Sequence, residues 1–180
     1  MNDGASQQTQ VAKVVERIGP PPADVKIILV VCSGNICRSP MAEGYLKEKL
    51  SDLKVNNINV YSAGTLNISG QSADDKAIAA CLDNGIDIRS HVSYGIIQLP
   101  VGSAGLILVM EEGHRQSIID NFPIAEGKTH LLGDFSPDNP GCEIDDPVGL
   151  PLECFKESFQ EIKTCTDLFV EWLLSGREIR

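Results

Sequence analysis

The chain has little aromatic surface, no closely paired cysteines, no long apolar run and no excess of base. Aromatic side chains make up 5% of its 180 residues, with one Trp, three Tyr and five Phe, so little ring surface is on offer for stacking. Lys and Arg number 15 against 25 Asp and Glu, a formal charge of −10. The isoelectric point is near 4.7. Nucleic acids and anionic membranes select basic surfaces, so neither is expected as the main partner. The longest apolar runs, residues 27–32 and 105–110, fall far short of the ~20 residues that span a bilayer. Residues 1–10 carry neither a basic n-region nor an apolar h-region, which argues against a secretory signal. Cys32, Cys37, Cys81, Cys142, Cys154 and Cys165 include no C-x-x-C pair. Disulfide frameworks belong to shorter secreted chains, and His and Cys show no ligand spacing, so no structural metal is expected. A cytoplasmic protein with free thiols is the reading that remains.

What is present suits one domain with its own core, at 42% apolar and 22% charged residues. A chain of this size buries roughly 68–70% of its unfolded surface without staples. Residues 1–24 read as a disordered leader. Its first ten residues are polar, and Val11, Val14, Val15 and Ile18 permit one or two amphipathic turns; docking is the alternative role. Gly19-Pro20-Pro21-Pro22 then stiffens the chain into a spacer. The folded domain is expected over 25–180.

From Lys26 onward, short apolar runs alternate with helical patterns. Residues 27–31 are continuous and branched, as a strand buried on both faces requires. Helices are predicted over 40–50, 74–82 and from about 111 to 120. Further strands are predicted at 58–61, 105–110 and 129–132. Pro137, Pro140, Pro147 and Pro151 make 133–151 a loop. Phe155, Phe159, Ile162, Phe169 and Leu173 form one stripe of a long last helix, with Trp172 beside it. The alternation predicts an α/β fold, a four-stranded parallel sheet with helices on both faces and right-handed crossovers. Ligands of such sheets bind at the carboxyl ends of the strands, beside a topological switch point.

The first strand runs straight into Cys32-Ser33-Gly34-Asn35-Ile36-Cys37-Arg38-Ser39-Pro40. At a strand-to-helix turn, consecutive backbone N–H groups make an anion nest at a positive helix end. Ser33, Gly34, Asn35, Ile36 and Cys37 line such a nest, and Gly34 and Asn35 most easily take left-handed angles. The same dipoles favour the thiolate of Cys32. Arg38 offers a planar fork to two oxygens of a phosphoryl group. Ser39 can donate to the sulfur, and Pro40 sits in a first helical turn, where its missing N–H costs nothing.

This loop, with Met41-Ala42-Glu43 after it, resembles the phosphate-binding loop of the low-molecular-weight protein tyrosine phosphatases. The similarity spans about residues 26–176. Tyr61-Ser62-Ala63-Gly64-Thr65, Gly85-Ile86, Ser90-His91, Leu108-Val109-Met110-Glu111 and Asp145-Asp146-Pro147 follow in the family's order. The resemblance implies a phosphate-binding loop after the first strand and a protein phosphatase working through a Cys32 phosphoryl intermediate. It also implies a phosphorylated protein or peptide as substrate, with no cofactor. Asp146 is then the general acid and base, with Asp145 as fallback. Ser62 and His91 match positions that hold the loop's turn through Asn35. Cys37 matches a partner that closes a reversible disulfide with Cys32. His114 and His130 read as surface or structural residues, and Cys81, Cys142, Cys154 and Cys165 as packing or surface thiols.

The family often flanks its site with aromatic residues, whereas Val148-Gly149-Leu150-Pro151 and Leu66-Asn67-Ile68 are not aromatic. Tyr94 stands where a Ser-His-x-x-Arg pattern places arginine. Members acting on phosphoarginine resemble this acid loop more closely, but they carry threonine where this chain has Ile36. Phosphotyrosine therefore leads and phosphoarginine follows. Thiol-dependent arsenate reduction needs two further cysteines near residues 111–120, where there are none. A phosphate-binding redox sensor without turnover is the non-enzymatic alternative, and Cys32, Arg38 and Asp-Pro together speak against it.

Overall fold

The computed structural model describes residues 3–176, and its elements follow one another as helix, then strand–helix alternation, then a long closing helix. Strand β1 (Ile27–Cys32) is buried along all but its first residue. It lies between β2 (Asn59–Gly64) and β3 (Leu106–Val109), with β4 (Thr129–Leu131) outermost, in the order β2-β1-β3-β4. All three pairings are parallel, and Ile28 sits between Val60 on one side and Leu106 on the other. After β2 the chain returns to the opposite side of β1, so the switch point falls at the carboxyl ends of β1 and β3.

Period-two alternation divides the strands between two cores. Ile28, Val30, Leu106 and Leu108 face helices α2 (Arg38–Asp52), α3 (Asp75–Leu82) and α5 (Leu152–Ser175). Leu29, Val31, Ile107 and Val109 face Ile118 of α4 (Glu112–Asn121), together with Val101 and Ala125. Helices thus cover both faces, as the alternation predicts. The aromatic stripe of α5 is buried throughout. Its Phe169 meets Phe135 edge-on at 5.0 Å, and Trp172 lies 5.3 Å from the same ring.

Boundaries differ from the sequence reading where tertiary contacts extend an element. Helix α2 starts two residues early, at Arg38, and β2 runs on to Gly64 because its pairing with β1 continues through Cys32.

The larger difference lies in the expected disordered leader. Helix α1 (Asp3–Ile18) occupies most of that stretch. Val14 is 2% exposed, and Val11, Val15 and Ile18 pack on the same core as α5. The indole Nε1 of Trp172 donates to Gly19 O at 2.9 Å, Gln7 reaches Glu171 at 3.0 Å, and Arg17 donates to Asp134 O. A helix of this length with one narrow apolar stripe is marginal alone; packing on α5 supplies what propensity does not. The ends of the two predicted segments, residues 1–2 and 177–180, lie outside the described residues. Among the described residues no helix is long and apolar enough to cross a membrane.

Candidate active site

The loop between β1 and α2 turns its carbonyls outward. Cys32 O and Ser33 O accept from Thr65 N and Leu66 N, both at 3.0 Å, and Ile36 O accepts from Asp74 N at 2.8 Å. Asn35 O lies 2.8 Å from His91 Nε2. In a planar trans peptide the next N–H points opposite to the carbonyl, so the amides of Ser33, Gly34, Ile36 and Cys37 face the other way. The amide of Asn35 donates to Cys32 Sγ at 3.3 Å. This is an anion nest built around a sulfur.

Asn35 holds the turn. Its φ is +57°, in the left-handed region. Its Nδ2 donates to Ser39 Oγ at 2.9 Å and Ser62 Oγ at 2.8 Å, while its Oδ1 accepts from Tyr94 N at 2.8 Å. Ser62 Oγ in turn donates a hydrogen bond to Glu43 Oε2 at 2.5 Å, and His91 Nδ1 is 4.0 Å from the same carboxylate. Gly34, the other residue expected to take a left-handed angle, does not do so; Asn35 alone absorbs the turn. Gly64 closes in from β2, where a Cβ would stand 2.5 Å from Ser33 O, so only glycine lets the strand end lie against the loop.

Cys32 is 3% exposed, and its Sγ lies 3.0 Å from Ser39 Oγ. Cys37 is equally buried. Burial first, then the charges of Asp74, Asp146 and Cys32, push its thiol up to about 12, with Arg38 opposing. Ile36 is partly buried and packs against the same core.

Arg38, 1% exposed, is fixed from three sides. Its NH1 donates to Glu111 and to Ile144 O at 2.8 Å. Its NH2 donates to Asp146 Oδ2 at 2.5 Å and to Ser33 Oγ at 3.4 Å. Among the described residues its buried Nε has no acceptor. A buried N–H donor without an acceptor carries a desolvation penalty that an oxyanion relieves. The loop bearing Asp146 is itself anchored, since Ile144 N donates to Met110 O at 2.9 Å. The second oxygen of Asp146 accepts from Val148 N at 3.1 Å. Asp145 and Asp146 both line a cavity of about 180 Å³ with Cys154, Glu157 and Glu161, and of the two it is Asp146 whose carboxylate meets Arg38.

The structure therefore gathers Cys32, Ser33, Gly34, Asn35, Ile36, Cys37, Arg38, Ser39, Ser62, His91 and Asp146 into one site. Three members have no role in the sequence reading. Glu111, at the end of β3, holds Arg38. Glu43 holds Ser62. His114, expected at the surface or in a structural role, is 5% exposed with Nε2 2.9 Å from Ser33 Oγ. Glu111 and His114 reach the loop because β3 pairs with β1, which periodicity does not reveal. The four-residue segment ending at Glu111 was the available signal. His130 stands apart, its ring 6.2 Å from Trp172. Leu66, Ile68, Val148 and Leu150 are exposed, an aliphatic set on the loops after β2 and after Asp146. Among the described residues no group of three or more His, Cys, Asp or Glu is placed to hold a metal ion.

A family model described as low molecular weight phosphotyrosine protein phosphatase matches residues 27–176. The chain is 40% identical over 141 residues to the low molecular weight protein-tyrosine-phosphatase Ptp of Acinetobacter johnsonii, covering 78% of this chain and 92% of that protein. It is 36% identical over 146 residues to the probable low molecular weight protein-tyrosine-phosphatase EpsP of Ralstonia nicotianae, covering 81% and 94%. The YwlE arginine phosphatase from Geobacillus stearothermophilus has a similar solved structure. Its TM-score is 0.75 at 33% identity, covering 83% of this chain and 94% of that one. Helix α1 precedes the matched residues.

Proposed function

The chain belongs to the low molecular weight phosphotyrosine protein phosphatase family, and we propose that it removes phosphoryl groups from protein tyrosine side chains through covalent catalysis at Cys32. The Cys32 thiolate attacks phosphorus while the bond to the leaving oxygen breaks, and Asp146 gives that oxygen its proton. Water then attacks phosphorus, the P–S bond breaks, and the water proton passes to Asp146. Ser39 Oγ, 3.0 Å from the sulfur, donates to the departing thiolate. The outward carbonyls leave a ring of N–H donors for the phosphoryl oxygens, and Arg38 adds its charge.

One observation supports this reading above the rest: the buried, unpartnered Nε of Arg38 lies in the same loop as a sulfur that already accepts a backbone N–H. The aliphatic Leu66, Ile68, Val148 and Leu150 favour phosphoarginine as a second reading, in which Asp146 protonates nitrogen. Ile36 in place of threonine favours tyrosine. We place the enzyme in the cytoplasm, where its six free thiols stay reduced.

The test is a panel of phosphotyrosine, phosphoserine and phosphoarginine peptides run with wild type and Cys32→Ser. Phosphotyrosine turnover that disappears in Cys32→Ser is expected. Turnover surviving the substitution overturns covalent catalysis, and faster phosphoarginine hydrolysis moves the assignment to the second reading.

A further inference from the structure

We propose that His114 is a positioning residue for the catalytic arginine, acting through Ser33. The proposal rests on the phosphatase reading above. Both amines of the Arg38 guanidinium are engaged: NH1 by Glu111 and Ile144 O, NH2 by Asp146 and Ser33 Oγ. Two of these contacts trace back to α4, because Glu111 is its N-cap and His114 lies in its first turn. The same helix start thus holds NH1 directly and NH2 through a serine hydroxyl.

The hydroxyl's bonding is set by what surrounds it. Ser33 Oγ has one proton to give. Arg38 NH2, always a donor, can only be accepted, at 3.4 Å. Ser33 Oγ also pairs with His114 Nε2, 2.9 Å away, and its two lone pairs let it accept from both. Burial holds His114 below the usual imidazole range, with Arg38 adding to the effect and Glu111, Asp146 and Glu143 opposing it. Nδ1 is buried without a partner among the described residues. An unpartnered buried N–H is costly, which favours the neutral tautomer with its proton on Nε2, donating to Ser33 Oγ. With Ser33 tied to α4, the residue after the nucleophile cannot swing, and the guanidinium keeps Nε free.

Glutamine places a terminal amide near the position of Nε2; asparagine is one carbon too short to reach Ser33. Both remove the ring, so their difference reports the bond rather than general loss of packing. The inhibition constant for inorganic phosphate is expected to rise about fivefold in His114→Asn relative to His114→Gln, the size of one hydrogen bond. The value of kcat/KM should fall by at least as much. In a Ser33→Ala background the two variants should become equal, because the hydroxyl they bond to is gone. Equal phosphate inhibition by the two variants in the wild-type background overturns the proposal, as does a difference that persists in Ser33→Ala. Should neither His114 variant fold, Ser33→Ala alone must raise the phosphate constant by a similar factor, and an unchanged constant is fatal. Loss of the phosphatase reading would show separately, as a wild-type enzyme without Cys32-dependent turnover.

Discussion

The guanidinium of Arg38 touches the carboxylate of Asp146 at 2.5 Å, so the group assigned to grip the phosphoryl oxygens and the group assigned to move the proton are direct neighbours. Replacing Asp146 should therefore separate chemistry from binding. Asp146→Asn is expected to lower kcat on p-nitrophenyl phosphate by about 100- to 10,000-fold. Inorganic phosphate should bind as well as before or better, since Arg38 no longer shares NH2 with a carboxylate. Steady-state rates with product inhibition measure both. Unchanged turnover would transfer the role to Asp145.

Asn35 combines a left-handed backbone with five hydrogen-bonded neighbours. Asn35→Ala loses the side-chain bonds and strains the turn, and a loss of about 1–3 kcal/mol is expected in urea unfolding. Asn35→Gly loses the same bonds without the strain and should sit between alanine and wild type. Alanine matching glycine would show that φ of +57° carries no cost here.

The raised Cys37 thiol makes a kinetic prediction about protection from oxidation. When peroxide has converted Cys32 to a sulfenic acid, Cys37 must lose its proton to close the disulfide. With its thiol near 12, the deprotonated fraction grows with pH throughout the working range, so closure should accelerate by about tenfold per pH unit. Thiol-labelling time courses give the rate. Peroxide-treated wild type should recover under dithiothreitol and Cys37→Ala should not; equal recovery would remove Cys37 from any protective role.

Helix α1 offers a test of a different kind. Val14 is 2% exposed against α5, and Val14→Asp buries a charge there, for an expected loss of more than about 2 kcal/mol. The single Trp172, bonded to Gly19 O, should report release of the helix by a red shift in fluorescence. Urea titration followed at this one indole provides the check, and unaltered emission with unaltered stability would mean that α1 contributes nothing to the fold.

The loop was legible because its chemistry is contiguous: Cys32 to Ser39 carries sulfur, nest and cation within one turn. The strands were legible because branched residues buried on both faces leave few other readings. Glu111 and His114 were not, since an acid and a histidine at the start of a helix look solvated until β3 is known to lie beside β1. Glu43 escaped for a similar reason: its partner Ser62 sits on a neighbouring strand. Helix α1 was misjudged from its polar residues, although Val11, Val14, Val15 and Ile18 had the right spacing. Spacing states which face can be buried, and the partner that buries it, α5, is encoded at the other end of the chain.

The strand order has a bearing on how the enzyme is made. Strand β1 is synthesised first among the four, yet it occupies a central place whose second neighbour, β3, emerges much later. Glu111 and Ile144, which orient Arg38, emerge later still. A ribosome-bound chain ending before Leu106 thus carries the whole nucleophilic motif and the Ser62, His91 and Tyr94 that hold its turn, but none of Glu111, Ile144 and Asp146 that orient Arg38. Non-local pairing of this sort forms late, so the guanidinium of Arg38 lacks its fixed orientation until synthesis is nearly finished. Nascent chains of stepped length, probed with a phosphate-mimicking oxyanion such as vanadate, should acquire binding only once the acid loop has cleared the exit tunnel.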